Sequence, residues 1–179
     1  MFEIEGRPAR ASPNLLPNPL FRGAIVGTPG TDPTAWTASP GTPAKSIVQV
    51  GPKLQMRVNG TAGTGETLNF FQDSQSTIVE PTDTVRFCCY GRLAAGSVSG
   101  VGSIGLGLIC FDRTGAFTNY YQSSNYVGSI GATSILMDFT QALSANDRKI
   151  SAQLFVGYNN GAAIDITMEW ELPYIARVG

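Results

Sequence analysis

The two-residue alternation near the end of the chain constrains the fold more than any other sequence feature. Apolar residues occupy one side of this stretch, at Ile164, Ile166, Met168, Trp170 and Leu172. Polar residues occupy the other side, at Asp165, Thr167, Glu169 and Glu171. Because successive side chains of a β-strand point to opposite faces, the pattern predicts a half-buried antiparallel strand over residues 163–175. No helical apolar period of useful length occurs, so the chain is predicted to be all-β.

Shorter strands are predicted before this one, separated by turn residues. They cover residues 46–50, 53–58, 67–72, 84–93, 104–111, 117–122, 135–140 and 149–158. The strands at 104–111 and 117–122 are predicted to form a hairpin around the turn at 112–115. With 21 Gly, 11 Pro and only 14% charged residues in 179, the composition favours short strands and turns over helices. One antiparallel β-sandwich of about eight or more strands is therefore predicted.

Residues 14–23 are a short apolar run that contains Pro17 and Pro19. The two prolines lack N–H groups and exclude a helix. We expect an extended edge segment, which acts as the first strand and closes the core beside the final strand. The sandwich domain is accordingly assigned to residues 14–179.

Residues 1–13 show no periodicity and contain three Gly or Pro positions. They are interpreted as an extended N-terminal arm that anchors the domain to a partner, with a disordered tail as the alternative. The anchoring side chains are predicted to be Phe2, Ile4, Arg7 and Arg10.

Several function classes are disfavoured by composition. The chain has no histidine, which removes the usual general base and imidazole metal ligand. A formal net charge of −1 without a dense basic patch argues against nucleic-acid binding. The acidic first residues lack the apolar core of a signal peptide, and no apolar run is long enough to span a bilayer. We therefore expect no membrane insertion, and assembly without secretion.

The cysteines Cys88, Cys89 and Cys110 do not have the spacing of a zinc site, so no metal ligands are predicted. They are interpreted as small buried hydrophobic residues. A cross-strand bridge between Cys89 and Cys110 is geometrically conceivable.

Aromatic and amide residues cluster in two places. Aromatic rings stack on the C–H faces of sugars, and amides orient the hydroxyl groups. The candidate glycan-binding residues are Tyr120, Tyr121, Tyr126, Tyr158, Asn159 and Asn160. The alternative is that these rings line the rim of the sandwich or a subunit interface. Trp36 can fill the core or stack on a sugar, and the core is favoured for it and for Trp170.

Glu169 and Glu171 are candidates for a catalytic pair of carboxylates. Two residues along a strand place them about 7 Å apart, a separation that does not exclude the acid and base roles of glycoside cleavage. Both lie on the polar side of the strand, where solvated carboxylates are the usual outcome. We therefore expect no enzymatic activity.

Four stretches resemble a known family. They are NLLPNPLF at 14–21 followed by Trp36, KLQMRV at 53–58, VEPTDTVRF at 79–87, and the final strand from 166 to 179. In order and spacing they resemble the carbohydrate-binding-module-like (galactose-binding-like) β-jelly-roll domains found beside glycosidases and in phage virion proteins. The resemblance implies a jelly roll. Family members often bind a structural calcium ion near an acid at the position of Arg22, and an arginine does not suit a hard cation. No cofactor is expected, with structural calcium left open.

By this resemblance the protein is expected to be a non-catalytic virion structural or surface protein of a bacteriophage. It would be a capsid decoration, a head spike or a tail-associated module, with the option of binding host glycans. The alternative is a stand-alone carbohydrate-binding module that recognises a polysaccharide. Other capsid or tail proteins are the expected partners, and a homo-oligomer, by analogy a trimer, is the expected assembly. Its location would be the virion, assembled in the host cytoplasm.

Overall fold

The computed structural model describes residues 13–72 and 77–178. The predicted anchoring residues Phe2, Ile4, Arg7 and Arg10 lie outside the described residues. The strands are β1 (Trp36–Ser39), β2 (Ala44–Gln49), β3 (Lys53–Thr61), β4 (Thr67–Gln72), β5 (Thr77–Ile78), β6 (Thr84–Gly96), β7 (Val101–Phe111), β8 (Phe117–Gln122), β9 (Ile135–Ala142), β10 (Lys149–Tyr158) and β11 (Ala163–Arg177). In these ranges no helix has the length and apolar character needed to cross a membrane.

The strands form two antiparallel sheets that face each other. The first sheet has the order β1-β4-β10-β7-β8, and the short β5 pairs with the start of β10. The second sheet has the order β2-β3-β11-β6-β9. Most neighbours within a sheet are distant in sequence, as in a jelly roll. The predicted all-β antiparallel sandwich is confirmed.

Several predicted strands match the observed ones closely. The strands at 67–72, 117–122 and 149–158 begin and end where the alternation predicts. The predicted hairpin is also present, because β7 pairs with β8. The pattern missed β1 and β5, which are four and two residues long. Strands this short contain too few residues for alternation to be recognised.

Residues 14–23 are not a strand, which corrects the prediction. The segment does lie beside β11, because the Leu15 N–H donates to the Ile175 carbonyl at 2.8 Å and Asn14 bonds to the same strand. It then bends through turns, with positive φ at Asn18 (50°) and Phe21 (52°). Prolines without N–H groups prevent a continuous ladder, and the bends direct Phe21 into the core.

The alternation of the last strand changes phase at a β-bulge. The pairing of β11 with β6 shifts register between Glu171 and Tyr174. Leu172 has a φ of 50° and is 47% exposed, so its predicted place on the buried face is wrong. Beyond the bulge Pro173 and Ile175 are buried instead. One inserted residue moves every later side chain to the opposite face.

Four aromatic rings connect the N-terminal segment to both sheets. The ring centroids are 5.5 Å apart for Phe21 and Trp36, 4.9 Å for Trp36 and Phe70, and 5.6 Å for Phe70 and Trp170. All four side chains are at most 2% exposed. The indole N–H of Trp36 donates to the Asn18 carbonyl at 3.2 Å. The predicted core positions of Trp36 and Trp170 are therefore confirmed.

All three thiols are free, so the conceivable bridge between Cys89 and Cys110 is not formed. The two residues lie on β6 and β7, which belong to opposite sheets. Packed sheets are about 10 Å apart, whereas a disulfide requires Cα atoms within about 7 Å. Cys89 and Cys110 are buried as small core residues, and burial raises the pKa of the Cys110 thiol to about 12.

Replacing Phe70 by alanine should remove the central ring that joins the two sheets. We expect the free energy of unfolding to fall by about 3–5 kcal/mol, measured by urea denaturation. The control is Phe117→Ala, because Phe117 is 63% exposed and should change the stability by less than about 0.5 kcal/mol. Equal effects of the two substitutions would contradict this description of the core.

Candidate functional site

A groove with a cavity volume of about 390 Å³ lies on the outer face of the first sheet. It is lined by Thr67, Asn69, Ser103, Ile109, Tyr120, Gln122, Gln153 and Phe155. These residues come from β4, β7, β8 and β10 and alternate with core residues such as Phe70 and Leu154. The packing of the core therefore orients the lining of the groove.

Hydrogen-bonded side chains cross the groove from one strand to another. The Tyr120 hydroxyl of β8 donates to Gln153 Oε1 of β10 at 2.6 Å. Gln153 Nε2 then donates to Asn69 Oδ1 of β4 at 2.5 Å. These bonds fix the orientation of the Gln153 amide, which is only 7% exposed. The groove floor thus presents polar groups at defined positions.

Two glycines of β7 make room for the aromatic side chains of the groove. A Cβ at Gly107 would lie 2.8 Å from the Tyr120 ring and 2.7 Å from Gln153 Oε1. A Cβ at Gly105 would lie 2.7 Å from the Phe155 ring. The two rings therefore rest directly on bare backbone, which only glycine allows.

The groove lining contains no Asp, Glu, Lys or Arg side chain. Burial raises the pKa of Tyr120, so its hydroxyl stays a neutral hydrogen-bond donor. Amides, hydroxyls and aromatic rings can bind an uncharged, hydroxyl-rich ligand.

The two neighbouring tyrosines of β8 lie on opposite faces of the first sheet, because side chains alternate along a strand. Tyr120 is 39% exposed and lines the groove. Tyr121 points the other way, packs on the core, and donates its hydroxyl proton to Asp147 Oδ2 at 3.3 Å. Of the six candidate glycan-binding residues, only Tyr120 lines the groove.

The other candidate residues lie elsewhere. The Tyr126 hydroxyl bonds to the backbone of Asp138, at 2.8 Å to the carbonyl and 3.0 Å to the N–H. Tyr158 is buried at 7% exposure. Asn159 and Asn160 form the turn after β10, where Asn160 Oδ1 accepts the Gly65 N–H at 2.9 Å. These contacts hold the local structure together.

Sequence reasoning missed Gln153, Asn69 and Phe155. They lie on strands that are far apart in the chain and meet only through sheet pairing. One available signal was a glutamine among the mostly apolar residues of β10. Another was the pair of glycines two residues apart in β7, at positions that face outward.

The predicted carboxylate pair lies on the outer face of the second sheet, away from the groove. Glu169 is not solvated, which corrects that expectation, since it is 2% exposed. It accepts hydrogen bonds from Arg92 at 2.7 and 2.8 Å and from Gln55 at 2.6 Å. The Arg92 bonds outweigh burial and lower the pKa of Glu169 to about 2. Glu171 pairs with Lys53 at 3.0 Å.

The region of Arg22 is held together by an asparagine. Asn18 Nδ2 donates to the carbonyls of Arg22 at 2.9 Å and Thr34 at 2.7 Å. A calcium ion would have to displace this amide to reach the two oxygens. Across residues 13–72 and 77–178, no group of three or more Cys, Asp or Glu side chains is placed to hold a metal ion.

No protein-family model and no curated protein sequence matches the chain. Solved structures do match its fold. The CBM22-1 xylan-binding domain from Paenibacillus barcinonensis Xyn10C is 14% identical with a TM-score of 0.53, over 96% of this chain and 98% of that one. The N-terminal cellulose-binding domain of Cellulomonas fimi β-1,4-glucanase C is 12% identical with a TM-score of 0.52, over 87% of this chain and 97% of that one.

The enzymatically active domain of bacteriophage CBA120 tailspike protein 4 is a further match. It is 13% identical with a TM-score of 0.53, and the match covers 81% of this chain. This chain spans only 20% of that tailspike chain. At these identities the likeness shows the fold alone. The predicted resemblance to carbohydrate-binding-module-like jelly-roll sandwiches is confirmed at that level.

Replacing Glu169 by glutamine should make the stability depend less on pH. The folded pKa of about 2 lies below the ordinary 4.5, so the carboxylate stabilises the fold above pH 4.5 and loses this effect as the pH falls towards 2. We expect Glu169→Gln to lower the free energy of unfolding by about 1–3 kcal/mol at pH 7. The difference in the free energy of unfolding between the variant and the native protein should become smaller as the pH falls from 4.5 to 2.

Urea denaturation at pH 7, 4 and 3 measures this effect. The control is Glu171→Gln, which removes a more exposed carboxylate from the same strand and should cost less. If Glu169→Gln lowers the free energy of unfolding by the same amount at pH 7 and pH 3, the charge of Glu169 is not what stabilises the fold.

Proposed function

We propose that the protein is a non-catalytic module that binds a glycan in the groove of the first sheet, and that it serves on the surface of a bacteriophage virion. The observation that carries the glycan proposal is the hydrogen-bonded line from Tyr120 through Gln153 to Asn69. This line places donors and acceptors beside exposed aromatic surface. Sugar recognition needs that combination, because a sugar has apolar C–H faces and polar hydroxyl groups.

The non-catalytic part of the proposal is supported by the chemistry of the groove. Glycoside cleavage uses two carboxyl groups that flank the scissile bond, and the groove lining contains none. Glu169, the most strongly perturbed carboxylate of the described residues, is ion-paired on the opposite sheet. Binding is therefore the activity that the groove supports best.

The virion assignment is supported by the fold likeness to a phage tailspike domain and by the motifs of the resemblance. The protein would act there as a capsid decoration, head spike or tail-associated module. It would assemble in the host cytoplasm as a homo-oligomer, with a trimer as the first form to test. The alternative is a stand-alone polysaccharide-binding module. This alternative is favoured by the near-complete coverage of two isolated carbohydrate-binding domains.

Replacing Tyr120 by alanine should weaken glycan binding about tenfold or more, because the ring and its hydrogen bond to Gln153 are both lost. Affinities would be measured by isothermal titration with the ligands that a glycan array identifies. The matched control is Tyr90→Ala, since Tyr90 is 43% exposed on the outer face of the second sheet. Equal losses in the two variants, or no glycan bound by the native protein, would overturn the proposal.

A mass-spectrometric inventory of purified phage particles tests the virion assignment. We expect peptides of this chain at a copy number that matches a symmetric structural component, and light scattering should report an oligomer. Absence from particles, together with tight polysaccharide binding by the free protein, would favour the stand-alone module.

A further inference from the structure

Two more cavities lie beside the groove, at one end of the first sheet. One has a volume of about 240 Å³ and is lined by Ile78, Val79, Glu80, Arg113, Arg148 and Lys149. The other, of about 290 Å³, shares Arg113 and Arg148 with it. The side chains come from β5, the β7–β8 turn and the start of β10. We call Arg113, Arg148 and Lys149 the cationic patch.

The cationic patch differs in charge from the rest of the molecule. The cavity of about 240 Å³ combines three cations with one carboxylate, Glu80, whereas the whole chain has a net charge of −1. Six other cations of the described residues are paired with carboxylates. These pairs are Lys45–Asp32, Lys53–Glu171, Arg57–Asp165, Arg86–Asp138, Arg92–Glu169 and Arg177–Asp83.

The two arginines of the patch have no such partner within residues 13–72 and 77–178. Arg113 is exposed. Arg148 Nη1 donates to the backbone carbonyls of Ala145 at 2.7 Å and Asp147 at 2.9 Å. Its Nε is buried and has no hydrogen-bond partner. Neither guanidinium group is neutralised by a carboxylate, so both can attract an external anion.

The patch adjoins the groove through the pairing of the strands. Ile109 lines the groove and pairs with Ser151, and two residues along the same strands Phe111 pairs with Lys149. Two residues of strand span about 7 Å. A single polysaccharide chain can therefore contact the groove and the patch together.

Exposed apolar side chains accompany the cations. Ile78 pairs with Lys149 and is 70% exposed. Phe117 pairs with Phe111 on the other side and is 63% exposed. Apolar surface next to positive charge suits a sugar ring that carries an acidic substituent.

We propose that the cationic patch binds the anionic group of an acidic glycan, a carboxylate, sulfate or phosphate on a sugar whose neutral neighbours occupy the groove. This inference rests on the proposed glycan-binding function. The groove lining is uncharged and cannot select for an acid, whereas the guanidinium forks of Arg113 and Arg148 match the oxygens of such groups. The patch would therefore determine which glycans bind most tightly.

The test compares acidic and neutral polysaccharides by isothermal titration at low and high salt. Polygalacturonate supplies carboxylates, dextran sulfate supplies sulfates, a phosphorylated dextran supplies phosphates, and dextran and xylan are neutral. The variant is the double substitution Arg113→Gln with Lys149→Gln. The control is Arg22→Gln, which removes an exposed arginine from another cavity, beside Val50 and Pro52.

We expect the native protein to bind at least one acidic polysaccharide more tightly than the neutral ones. The double variant should bind it about tenfold more weakly at low salt, with a shallower dependence of affinity on salt. Its binding of neutral glycans should change by less than about twofold, and Arg22→Gln should match the native protein. Unchanged melting temperatures would show that the variants stay folded.

The outcomes separate this inference from the proposed function. If the protein binds neutral glycans through Tyr120 and shows no preference for acidic ones, the proposed role of the cationic patch is wrong and the proposed function stands. If binding of an acidic polysaccharide is lost in the double variant but survives Tyr120→Ala, the cationic patch is an anion-binding site and the groove is not the glycan-binding site. No binding of any polysaccharide would overturn both. Equally tight binding of oligodeoxythymidylate, lost in the double variant, would overturn the assignment to a glycan.

Discussion

The contacting rings of Phe21, Trp36, Phe70 and Trp170 are the packing interaction on which the other parts of the structure depend. They join the N-terminal segment, the first sheet and the second sheet into one core. Because strand side chains alternate, each residue held in this core also orients its neighbours on the outer face. Phe70 packs inside, so Asn69 faces the groove.

The outer faces of the two sheets differ in how their charges are satisfied. On the second sheet Glu169 is buried beneath Arg92 and Lys53, and other carboxylates pair with arginines across the strands. That face presents charges that already have partners. The groove lining is uncharged, and within residues 13–72 and 77–178 the guanidinium groups of Arg113 and Arg148 at its border form no ion pair with a carboxylate. A ligand that brings hydroxyl groups and an acidic substituent complements the first sheet and has less to gain on the second.

The groove owes its shape to residues that lack a side chain as well as to those that have one. Gly105 and Gly107 leave the outer face of β7 without side chains, so the rings of Phe155 from β10 and Tyr120 from β8 can lie over it from either side. Tyr120 and Asn69 fix the Gln153 amide between them in a line of hydrogen bonds. Substituting either glycine would push a ring away from the floor, so the geometry of this site depends on backbone as much as on side chains.

The sequence by itself determined the fold class, because the two-residue period of a strand is a local property of the backbone. It also predicted the core tryptophans and the hairpin of β7 and β8. Only the tertiary structure decided the rest. The bends at Asn18 and Phe21 and the bulge at Leu172 depend on packing against other strands. The groove and the cationic patch are built from strands and turns distant in sequence, and only sheet pairing brings these residues together.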